Sequence, residues 1–428
     1  MTTQNTEGLL SPYRVLDLTN ERGFLCGKLL GDLGADVIKI ERPGGDPARA
    51  LGPFYHDELD PEKSLYWWAF NVNKRGVTLD IETADGQAIL KKLVAKADFV
   101  LESFDPGYLQ KLGLGYESLS AINPGIIMAS ITGFGQTGPY SDYKSSDITI
   151  WALSGEAYLT GDPDRAPLSP SFPVSYFFAA TSAAAGVLIA LCQRALTGIG
   201  QQVDAPAQLG VAWACGPEMP GLWEVDKAIV KRSGGFWRRA QTGASNEDIK
   251  YVSIPVVYPC KDGNVRFVPF IDAGMLPSTV GMSKWVIEEG FASETLKRFD
   301  WSALDWQTVS QETMDEVMGS FSRFFPTHTK AELWEGAQKR GITLCPLLTA
   351  KGMAEYEQLR VREYWAEVKH PELETTVTYP GAFAKISEAP CVIERRAPLI
   401  GEHNEEVYVK ELGFSREQLL ALRQGKII

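Results

Sequence analysis

The segment at residues 15–49 constrains the fold most, because its pattern is that of a strand, a helix, a second strand and a basic turn. The run VIKI at residues 37–40 has the β-branched composition of a buried parallel strand, and leucines at helical spacing precede it. Parallel neighbours need a crossover connection, which is usually a helix. The segment therefore predicts a βαβ unit near the start of the chain.

The second of these strands is followed by the turn ERPGGD at residues 41–46, which sets Arg42 beside flexible backbone. In an open α/β sheet, ligands bind at the carboxyl ends of the strands, and the planar guanidinium group suits a phosphate. Spacing alone leaves a second interpretation open, in which Arg42 is a solvated surface residue.

Composition limits the classes of partner. At roughly 150 residues per domain, a chain of 428 residues with 44% hydrophobic content is expected to form two or three domains with real cores. Its 42 Lys and Arg residues against 54 Asp and Glu residues give a net charge of −12, which disfavours nucleic acid as a partner. Any site for an anionic ligand must therefore be locally basic.

Cysteine and histidine positions give no metal or disulfide pattern. The six cysteines show no CxxC spacing, the four histidines are far apart, and the first residues have no apolar signal core. The longest apolar run, at residues 177–192, is shorter than the ~20 residues that span a bilayer, so we expect a buried helix. We therefore expect a cytoplasmic protein with no metal site, no disulfides and no membrane partner.

Strand and helix patterns alternate to about residue 150. Residues 89–97 have an amphipathic helical pattern, and residues 98–101 and 125–131 have the apolar composition of strands, which predicts a parallel sheet. Residues 225–325 carry hairpin signals, including KDGN at residues 261–264, and then helical patterns. The sequence thus predicts an α/β fold with a smaller α+β domain.

Four segments resemble successive blocks of the family III CoA-transferases, also called the CaiB/BaiF family. They are GDLGADVIKIERPGGDPAR, NVNKRGVTLDI, SFDPGYLQKLGLGYESLSAINPGIIMASITGFGQTGPYSDY and RAPLIGEHNEEVYVKELGFS. The resemblance implies an interlocked dimer in which each protomer has a Rossmann-like large domain formed from both chain ends and a smaller inserted α+β domain. On this basis residues 1–224 form the first part of the large domain with a linker, residues 225–325 the small domain, and residues 326–428 a linker and the second part of the large domain.

The family's chemistry rests on an aspartate that attacks the thioester of an acyl-CoA, which divides a hard exchange into easier covalent steps. The resemblance places Tyr176, and not an aspartate, at that position. Asp162 and Asp164 are the nearest preceding acids, and they lie too far upstream to replace it. We therefore predict no catalytic residue in this chain and expect Tyr176 to pack.

Other departures from the family pattern point the same way. The sequence ERGFL at residues 21–25 replaces an Ala-Gly-Pro turn, and the small-domain glycine loop is represented at best by SGGFW at residues 233–237. Asp105 puts a negative charge beside a region meant for phosphates, where like charges repel. Together these changes argue against a self-sufficient active site.

The positions that would contact CoA nevertheless match. By resemblance they are Arg42, Leu79, Asp80, Lys111 and Lys144. Arg42 would meet the adenosine or its 3′-phosphate, Lys111 would face the diphosphate, and Lys144 would lie near the pantetheine or phosphate path, while the other two would line the nucleotide. An alternative is that these cations are only surface residues, whose ion pairs are worth ~0–1 kcal/mol each. No permanently bound cofactor is expected, and a CoA thioester would be a substrate ligand.

These inferences combine into a functional expectation. The chain would be a subunit of a heteromeric CoA-transferase that moves CoA from succinyl-CoA to an organic acid, with (R)-benzylsuccinate as the favoured acid, beside a homologous catalytic subunit that carries the aspartate. One alternative is a homodimeric acyl-CoA racemase or lyase on the same fold, which needs a base but no attacking carboxylate. Another is a CoA-thioester binding protein without catalysis.

Overall fold

The computed structural model describes residues 8–162, 165–214, 236–240, 251–306 and 308–428. The chain forms two compact units. The large unit comprises residues 1–154, 170–215 and 357–428, and the second unit comprises residues 155–169 and 216–356. Residues 326–356, which the sequence prediction gave to the large domain, thus lie in the second unit.

A six-stranded parallel sheet forms the centre of the large unit. Its strands are β1 (Arg14–Leu18), β2 (Asp36–Glu41), β3 (Lys74–Thr78), β4 (Phe99–Glu102), β5 (Ile127–Thr132) and β6 (Gln202–Pro206). The strand order is β3-β2-β1-β4-β5-β6, and every pairing is parallel. The predicted α/β class and parallel sheet are confirmed, and the run at residues 37–40 lies within β2.

Helices follow the strands along the chain. In chain order they are α1 (Phe24–Asp32), α2 (Leu65–Asn71), α3 (Ala84–Val94), α4 (Tyr108–Lys111), α5 (Tyr116–Ile122), α6 (Asp147–Leu153), α7 (Glu156–Leu159), α8 (Ser175–Thr197), α9 (Ala207–Ala214), α10 (Leu276–Glu288), α11 (Glu294–Arg298), α12 (Gln311–Phe324), α13 (Lys330–Arg340), α14 (Ala350–Ala354), α15 (Glu357–Val361) and α16 (Arg416–Gln424). A π-helical segment, Glu405–Glu411, precedes the last of them.

Helix α3 illustrates how the sequence specifies these elements. The Thr83 hydroxyl accepts a hydrogen bond from the Gly86 N–H and caps the first turn, and lysines occupy the last turn, where they complement the helix dipole. Ile89 and Leu93 lie on the face that packs into the core of the sheet. Capping and amphipathic spacing therefore specify the same helix, which overlaps the predicted pattern at residues 89–97 but begins at Ala84 and ends at Val94.

Helix α8 is long and alanine-rich, and only one of its faces is buried. Ala179, Ala183 and Val187 are buried, whereas Ile189 is 71% and Leu196 84% exposed, so the prediction of a buried helix holds for one face only. By length and composition α8 is the one helix among the described residues that could cross a membrane, yet it packs against β5, β6 and α1. It is therefore a core helix of the large unit with an apolar outer face.

The segment after residue 396 returns to cover the edge strand β3. The Asn404 side chain accepts a hydrogen bond from the Thr78 N–H at 2.9 Å and donates one to the Thr78 hydroxyl at 2.8 Å. The Tyr408 hydroxyl donates to the Thr78 carbonyl at 2.8 Å. These bonds satisfy edge groups that would otherwise be open to pairing with another chain. Both ends of the sequence therefore build the large unit.

The second unit is an α+β arrangement. Its strands are β7 (Phe236–Ala240), β8 (Tyr251–Pro255), β9 (Val257–Cys260), β10 (Gly263–Phe267) and β11 (Leu344–Pro346). The turn at residues 261–262 joins β9 to β10 in an antiparallel pair, which confirms the predicted hairpin, and β11 pairs with the other edge of β10. Phe267, Trp285 and Phe321 belong to its aromatic core. The pairing of β11 explains why residues 326–356 belong to this unit.

A group of buried charges lies on the first three strands of the sheet. Asp17 on β1, Lys39 on β2 and Lys74 on β3 are fully buried. The Lys74 ammonium lies 2.8 Å and the Lys39 ammonium 3.7 Å from the Asp17 carboxylate. Burial alone would raise the pKa of Asp17, but the charges of Lys74 and Lys39 outweigh it and hold that pKa below its usual value. One buried carboxylate thus forms ion pairs with two buried ammonium groups.

Two further strands of the large unit, β12 (Trp365–His370) and β13 (Thr375–Pro380), form an antiparallel hairpin that buries His370. The Nδ1 atom of His370 lies 3.0 Å from the Glu372 carboxylate, and Nε2 lies 2.8 Å from the Tyr379 hydroxyl. Burial lowers the pKa of His370 below its ordinary value, although Glu372 opposes this shift. The neutral ring is therefore the form that the folded protein favours.

Acid is expected to destabilise the large unit through this histidine. Because the folded-state pKa lies below the unfolded value of about 6.5, the unfolded chain takes up the proton first, and stability is lost as pH falls below that value, by up to about 1.4 kcal/mol per pH unit. Thermal melts from pH 8 to pH 5 should show a smaller slope for His370→Gln than for the wild type. The exposed Gln358→Asn, a change in the large unit that involves no titrating group, serves as the control and should keep the full slope. Burial also lowers the pKa of His403, so part of the slope should remain in His370→Gln. A slope equal to that of the wild type would show that His370 does not cause the loss of stability in acid.

Candidate functional site

A cavity of about 640 Å³ opens at the carboxyl ends of β1, β2, β3 and β4 in the large unit. It lies where the strand order reverses, because β1 has β2 on one side and β4 on the other. This reversal point is where open α/β sheets bind their ligands, since the loops after the two central strands diverge and leave a crevice. The cavity is therefore the candidate site.

Three of the five predicted CoA contacts line this cavity. Arg42 follows β2 and is exposed, with a long 3.4 Å hydrogen bond to the Gly45 carbonyl. Leu79 and Asp80 follow β3, and the Asp80 carboxylate accepts a hydrogen bond from the Glu82 N–H at 3.0 Å. The strand ends thus bring together residues that are far apart in the sequence.

The two predicted lysines do not line the cavity. Lys111 is the last, exposed residue of α4. Lys144 is 87% exposed, and its ammonium lies 2.6 Å from the Asp105 carboxylate. The Arg22 guanidinium approaches the same carboxylate at 3.9 Å, and the hydrogen bond from Lys144 holds the pKa of Asp105 below its usual value. The two cations offset the negative charge that was expected to repel phosphates there.

Sequence reasoning missed two kinds of group at the cavity. Phe104 and Tyr108 stack at 4.8 Å on one wall, and the Tyr108 hydroxyl donates to the Glu82 carboxylate at 2.8 Å. Lys426, which follows α16, also lines the cavity. The aromatic pair belongs to the third family-like block and could have been found there, whereas nothing near Lys426 in the sequence indicates a site.

Carboxylates outnumber cations around the cavity. The acidic lining residues are Glu21, Glu41, Asp46, Asp80 and Glu82, against the cations Arg42 and Lys426. Glu41 is neutralised by a buried bidentate pair with Arg49 at 2.7 and 2.8 Å. Burial raises the pKa of Asp46 above its usual value, although the charge of Lys39 and the hydrogen bond from Ala48 oppose the shift. The lining therefore offers hydrogen-bond acceptors for hydroxyl and amino groups, and its two cations are the charged groups that attract phosphate.

Glu102, at the end of β4, is buried and supports the cavity wall from behind. Its carboxylate accepts a hydrogen bond from the Phe104 N–H at 2.8 Å and so holds the loop that carries the stacked ring. Burial raises the pKa of Glu102 to about 7, although hydrogen bonds from Ser130 and Phe104 oppose the shift. This carboxyl group can therefore exchange a proton near neutral pH beside the site.

Tyr176 lies in the first turn of α8 and is 9% exposed. Its hydroxyl lies 2.7 Å from the Ser145 hydroxyl, and the Arg22 guanidinium lies 5.4 Å from the ring centre. Burial raises the pKa of Tyr176, which the Ser145 hydrogen bond and the Arg22 charge only partly oppose. The phenol is therefore protonated at neutral pH and is packed, as the sequence predicted.

Two carboxylates act electrostatically on Tyr176. Asp147 accepts a hydrogen bond from the Ser175 N–H at 2.7 Å and so anchors the start of α8. Glu21 lines the cavity, and its charge adds to the rise in the pKa of Tyr176. Glu21 thus lines the cavity and is also close enough to Tyr176 for its charge to affect the tyrosine's pKa.

Other sequence candidates lie elsewhere. Asp162 belongs to the second unit, whereas Asp164 and residues 233–235 of the glycine loop lie outside the described residues. Across the part of the chain that the structure describes, no three His, Cys, Asp or Glu side chains are grouped so as to hold a metal ion.

Comparison with known proteins places the chain among CoA-transferases. The model of the family described as CoA-transferase family III matches residues 10–404. The chain is 32% identical to the subunit BbsE of succinyl-CoA:(R)-benzylsuccinate CoA-transferase from Thauera aromatica, over 97% of this chain and 98% of the relative. It is 31% identical to succinyl-CoA--D-citramalate CoA-transferase from Chloroflexus aurantiacus, over the full length of both. The beta subunit of succinyl-CoA--L-malate CoA-transferase from the same organism is 30% identical over 98% of each chain.

The fold agrees with a solved structure. A crystal structure of a CaiB/BaiF family protein from Brucella suis superposes with a TM-score of 0.78 at 27% identity, and the match covers 94% of this chain and 99% of that one.

Proposed function

This chain belongs to CoA-transferase family III, as its four sequence blocks predicted, and from that membership we propose that it is the non-catalytic subunit of a heteromeric CoA-transferase. The complex would move CoA from succinyl-CoA to an organic acid. A homologous subunit would carry the aspartate nucleophile, and the CoA thioester would be a substrate ligand rather than a permanently bound cofactor. We expect the complex to act in the cytoplasm.

The observation that carries this proposal is the environment of Tyr176. The family's nucleophile is a carboxylate, and the chain has a protonated phenol at that position, buried and hydrogen-bonded to Ser145. A neutral phenol held in this way cannot attack a thioester as a carboxylate does, because it lacks a negative charge and is not presented to solvent. Reconstitution of the chain with its proposed partner tests the assignment.

The acid substrate is proposed from the relatives. The name of the BbsE relative specifies (R)-benzylsuccinate, and the names of two other relatives specify D-citramalate and L-malate. All three acids are substituted succinates, so we propose a substituted succinate as the acceptor class and (R)-benzylsuccinate as the favoured member. A panel of these acids with succinyl-CoA should give the highest kcat/KM for benzylsuccinate. A preference for oxalate, the acid in the names of the formyl-CoA relatives, would contradict this choice.

A partner subunit is supported by apolar residues on the outside of the large unit. Ile189 and Leu196 on α8 and Leu209 and Trp213 on α9 are each at least 66% exposed, and the two helices pack together. Exposed apolar groups of this size indicate interaction surfaces. We propose that a homologous chain covers them in an interlocked dimer, whose interface would exceed the ~1,600 Å² of a standard complex.

One observation favours a second candidate function. Glu21 lines the cavity and acts electrostatically on Tyr176, so a carboxylate is present although the aspartate is absent. In a homodimeric acyl-CoA racemase or lyase, Glu21 would serve as the base that removes a proton next to the thioester. Deuterium exchange into an acyl-CoA by the chain alone, abolished in Glu21→Gln, would support this function over the heteromeric one.

The variant Tyr176→Asp is expected to remain inactive when purified alone. The new carboxylate would be buried beside Ser145, and the 21–25 turn would still differ from the Ala-Gly-Pro turn of active members. The measurement is succinyl-CoA consumption with each acid, with Tyr176→Phe as the control that keeps the ring and loses the hydroxyl. Substantial turnover by Tyr176→Asp but not by Tyr176→Phe would mean that the nucleophile is the only missing part.

A further inference from the structure

Glu102 is a buried carboxyl group that has no cation as a partner. It is the last residue of β4 and is 4% exposed. In the described part of the chain, no Lys, Arg or His side chain forms an ion pair with it. Burial favours the neutral acid unless a cation or several hydrogen bonds compensate for the lost hydration. The charge state of Glu102 is therefore sensitive to pH.

A row of residues across the sheet connects Glu102 to a second acid. Glu102 on β4 is paired with Ser130 on β5, and Ser130 is paired with Asp204 on β6. Neighbouring strands are about 4.8 Å apart, so roughly 10 Å separates the Cα atoms of the two acids. The Ser130 oxygen is buried and accepts a hydrogen bond from the Gln202 side chain at 3.0 Å, which leaves the Ser130 hydroxyl hydrogen for Glu102. Glu102 and Asp204 are the carboxyl pair.

Each acid of the carboxyl pair holds one loop at the carboxyl end of the sheet. Glu102 accepts a hydrogen bond from the Phe104 N–H at 2.8 Å, and Phe104 lines the main cavity. Asp204 accepts a hydrogen bond from the Gln136 N–H at 2.9 Å, in the loop after β5. Asp204 is exposed, whereas Glu102 meets water only when its loop opens. Proton release from Glu102 is therefore linked to opening of the loop that carries Phe104.

Few charges act on Glu102 from the strands and the loop around it. The residues paired with it on the flanking strands are Leu18 and Ser130, which carry no charge. In the loop after β4, the charge of Asp105 is offset by Arg22 and Lys144. The carboxylate of Asp204 thus remains as the group on the neighbouring strands that disfavours a negative charge on Glu102.

The helices over this face of the sheet add no partner for Glu102. Side chains alternate along a strand, so Glu102 lies on the same face as Val100, which packs with leucines of α3, α4 and α5. The hydroxyl of Tyr108 donates to Glu82, and that of Tyr116 donates to the Gly200 carbonyl. In the described structure, none of the charged residues of these helices forms an ion pair with Glu102; they are Asp85, Lys91, Lys92, Lys111 and Glu117.

We propose that the carboxyl pair is a pH-sensitive latch, which holds the loop that carries Phe104 most firmly in mild acid and loosens it as the pH rises to neutrality. While the loop is closed, burial and the charge of Asp204 raise the pKa of Glu102 from 4.5 to about 7. Opening hydrates the carboxyl group and returns its pKa toward the ordinary value. Between the two values only the closed form keeps the proton, so opening becomes up to about tenfold more favourable per pH unit and is constant above pH 7. This behaviour does not depend on which ligand the cavity binds.

Hydrogen exchange of the full chain from pH 5 to pH 8, followed by mass spectrometry, tests this proposal. The quantity measured is the protection of peptides that contain Phe104, corrected for the intrinsic exchange rate at each pH. In the wild type it should fall by up to about tenfold per pH unit to about pH 7 and then stay constant. Glu102→Gln keeps an acceptor for the Phe104 N–H but cannot ionise, so its protection should not vary with pH. Glu117→Gln, the same change at an exposed position of α5, is the control and should keep the wild-type profile.

The variant Asp204→Asn tests the second acid and covers the case in which Glu102→Gln does not fold. It keeps an acceptor for the Gln136 N–H and removes the negative charge, so the protection of Phe104 should become constant at a lower pH than in the wild type. Protection that does not change with pH in the wild type, or that changes equally in Glu102→Gln, overturns the proposal. A profile of Asp204→Asn that coincides with the wild type also overturns it, because Glu102 would then act without its proposed partner.

Discussion

The chain purified alone is expected to transfer no CoA from succinyl-CoA to any acid, and a complex with a homologous aspartate-bearing subunit is expected to be active. Loss of a covalent nucleophile lowers turnover by on the order of 10⁴-fold or more. In the proposed assignment Tyr176 stands at the nucleophile position, and its hydroxyl is hydrogen-bonded to Ser145 while burial raises its pKa. The measurement is chromatographic detection of the product thioester from the chain, the partner and the complex.

Trapping identifies the reacting group in the same samples. Hydroxylamine followed by mass spectrometry should modify the partner's aspartate and no acidic residue of this chain. Substituting that aspartate by Ala should abolish the activity of the complex. A modified acid on this chain, with Glu21 the first to inspect because it lines the cavity, would refute the non-catalytic assignment.

The variant Asp17→Asn is expected to destabilise the large unit by about 3–5 kcal/mol, since it leaves two buried ammonium groups without an anion. Asp17 is fully buried, with Lys74 at 2.8 Å and Lys39 at 3.7 Å. Urea unfolding followed by tryptophan fluorescence measures the change in the free energy of unfolding. The exposed Asp142→Asn is the matched control and should change it by less than about 0.5 kcal/mol.

A double variant separates the charge effect from a change of shape. Replacing Lys74 by Met in the Asp17→Asn background removes one of the unpaired ammonium groups, so the double variant should be more stable than Asp17→Asn alone. A loss below about 1 kcal/mol in Asp17→Asn would show that the buried lysines do not depend on this carboxylate.

The sequence predicted those parts of the fold that depend on local pattern. The VIKI run lies within β2, and the amphipathic pattern at residues 89–97 overlaps α3, which begins earlier, at Ala84, and ends at Val94. A parallel strand buried on both faces is apolar throughout, and a helix buried on one face has apolar residues at helical spacing, so both patterns are visible in the sequence. The packing of Tyr176 was also predicted, and the side chain is 9% exposed, whereas its correspondence to the nucleophile of the family stays a prediction.

Long-range contacts could not be predicted in this way. The charge of Asp105 was expected to repel phosphates, but Lys144 and Arg22 reach it from other loops. Lys426 lines the cavity because backbone hydrogen bonds of Ile427 with Asp80 and Leu422 hold its segment there, and none of these bonds depends on a side chain that a sequence pattern would mark. Only the folded chain shows which charges are already paired.

Coverage of the β3 edge by the returning segment has a consequence for biosynthesis. Thr78 and Tyr408, whose hydrogen bond helps to close that edge, are 330 residues apart. At the usual rate of translation the ribosome needs about 20 to 60 seconds to make the intervening chain. During that time the nascent sheet presents an open strand edge to neighbouring nascent chains, which favours misassociation. We therefore expect the yield of folded protein to depend on chaperones that shield the edge until residue 408 has emerged.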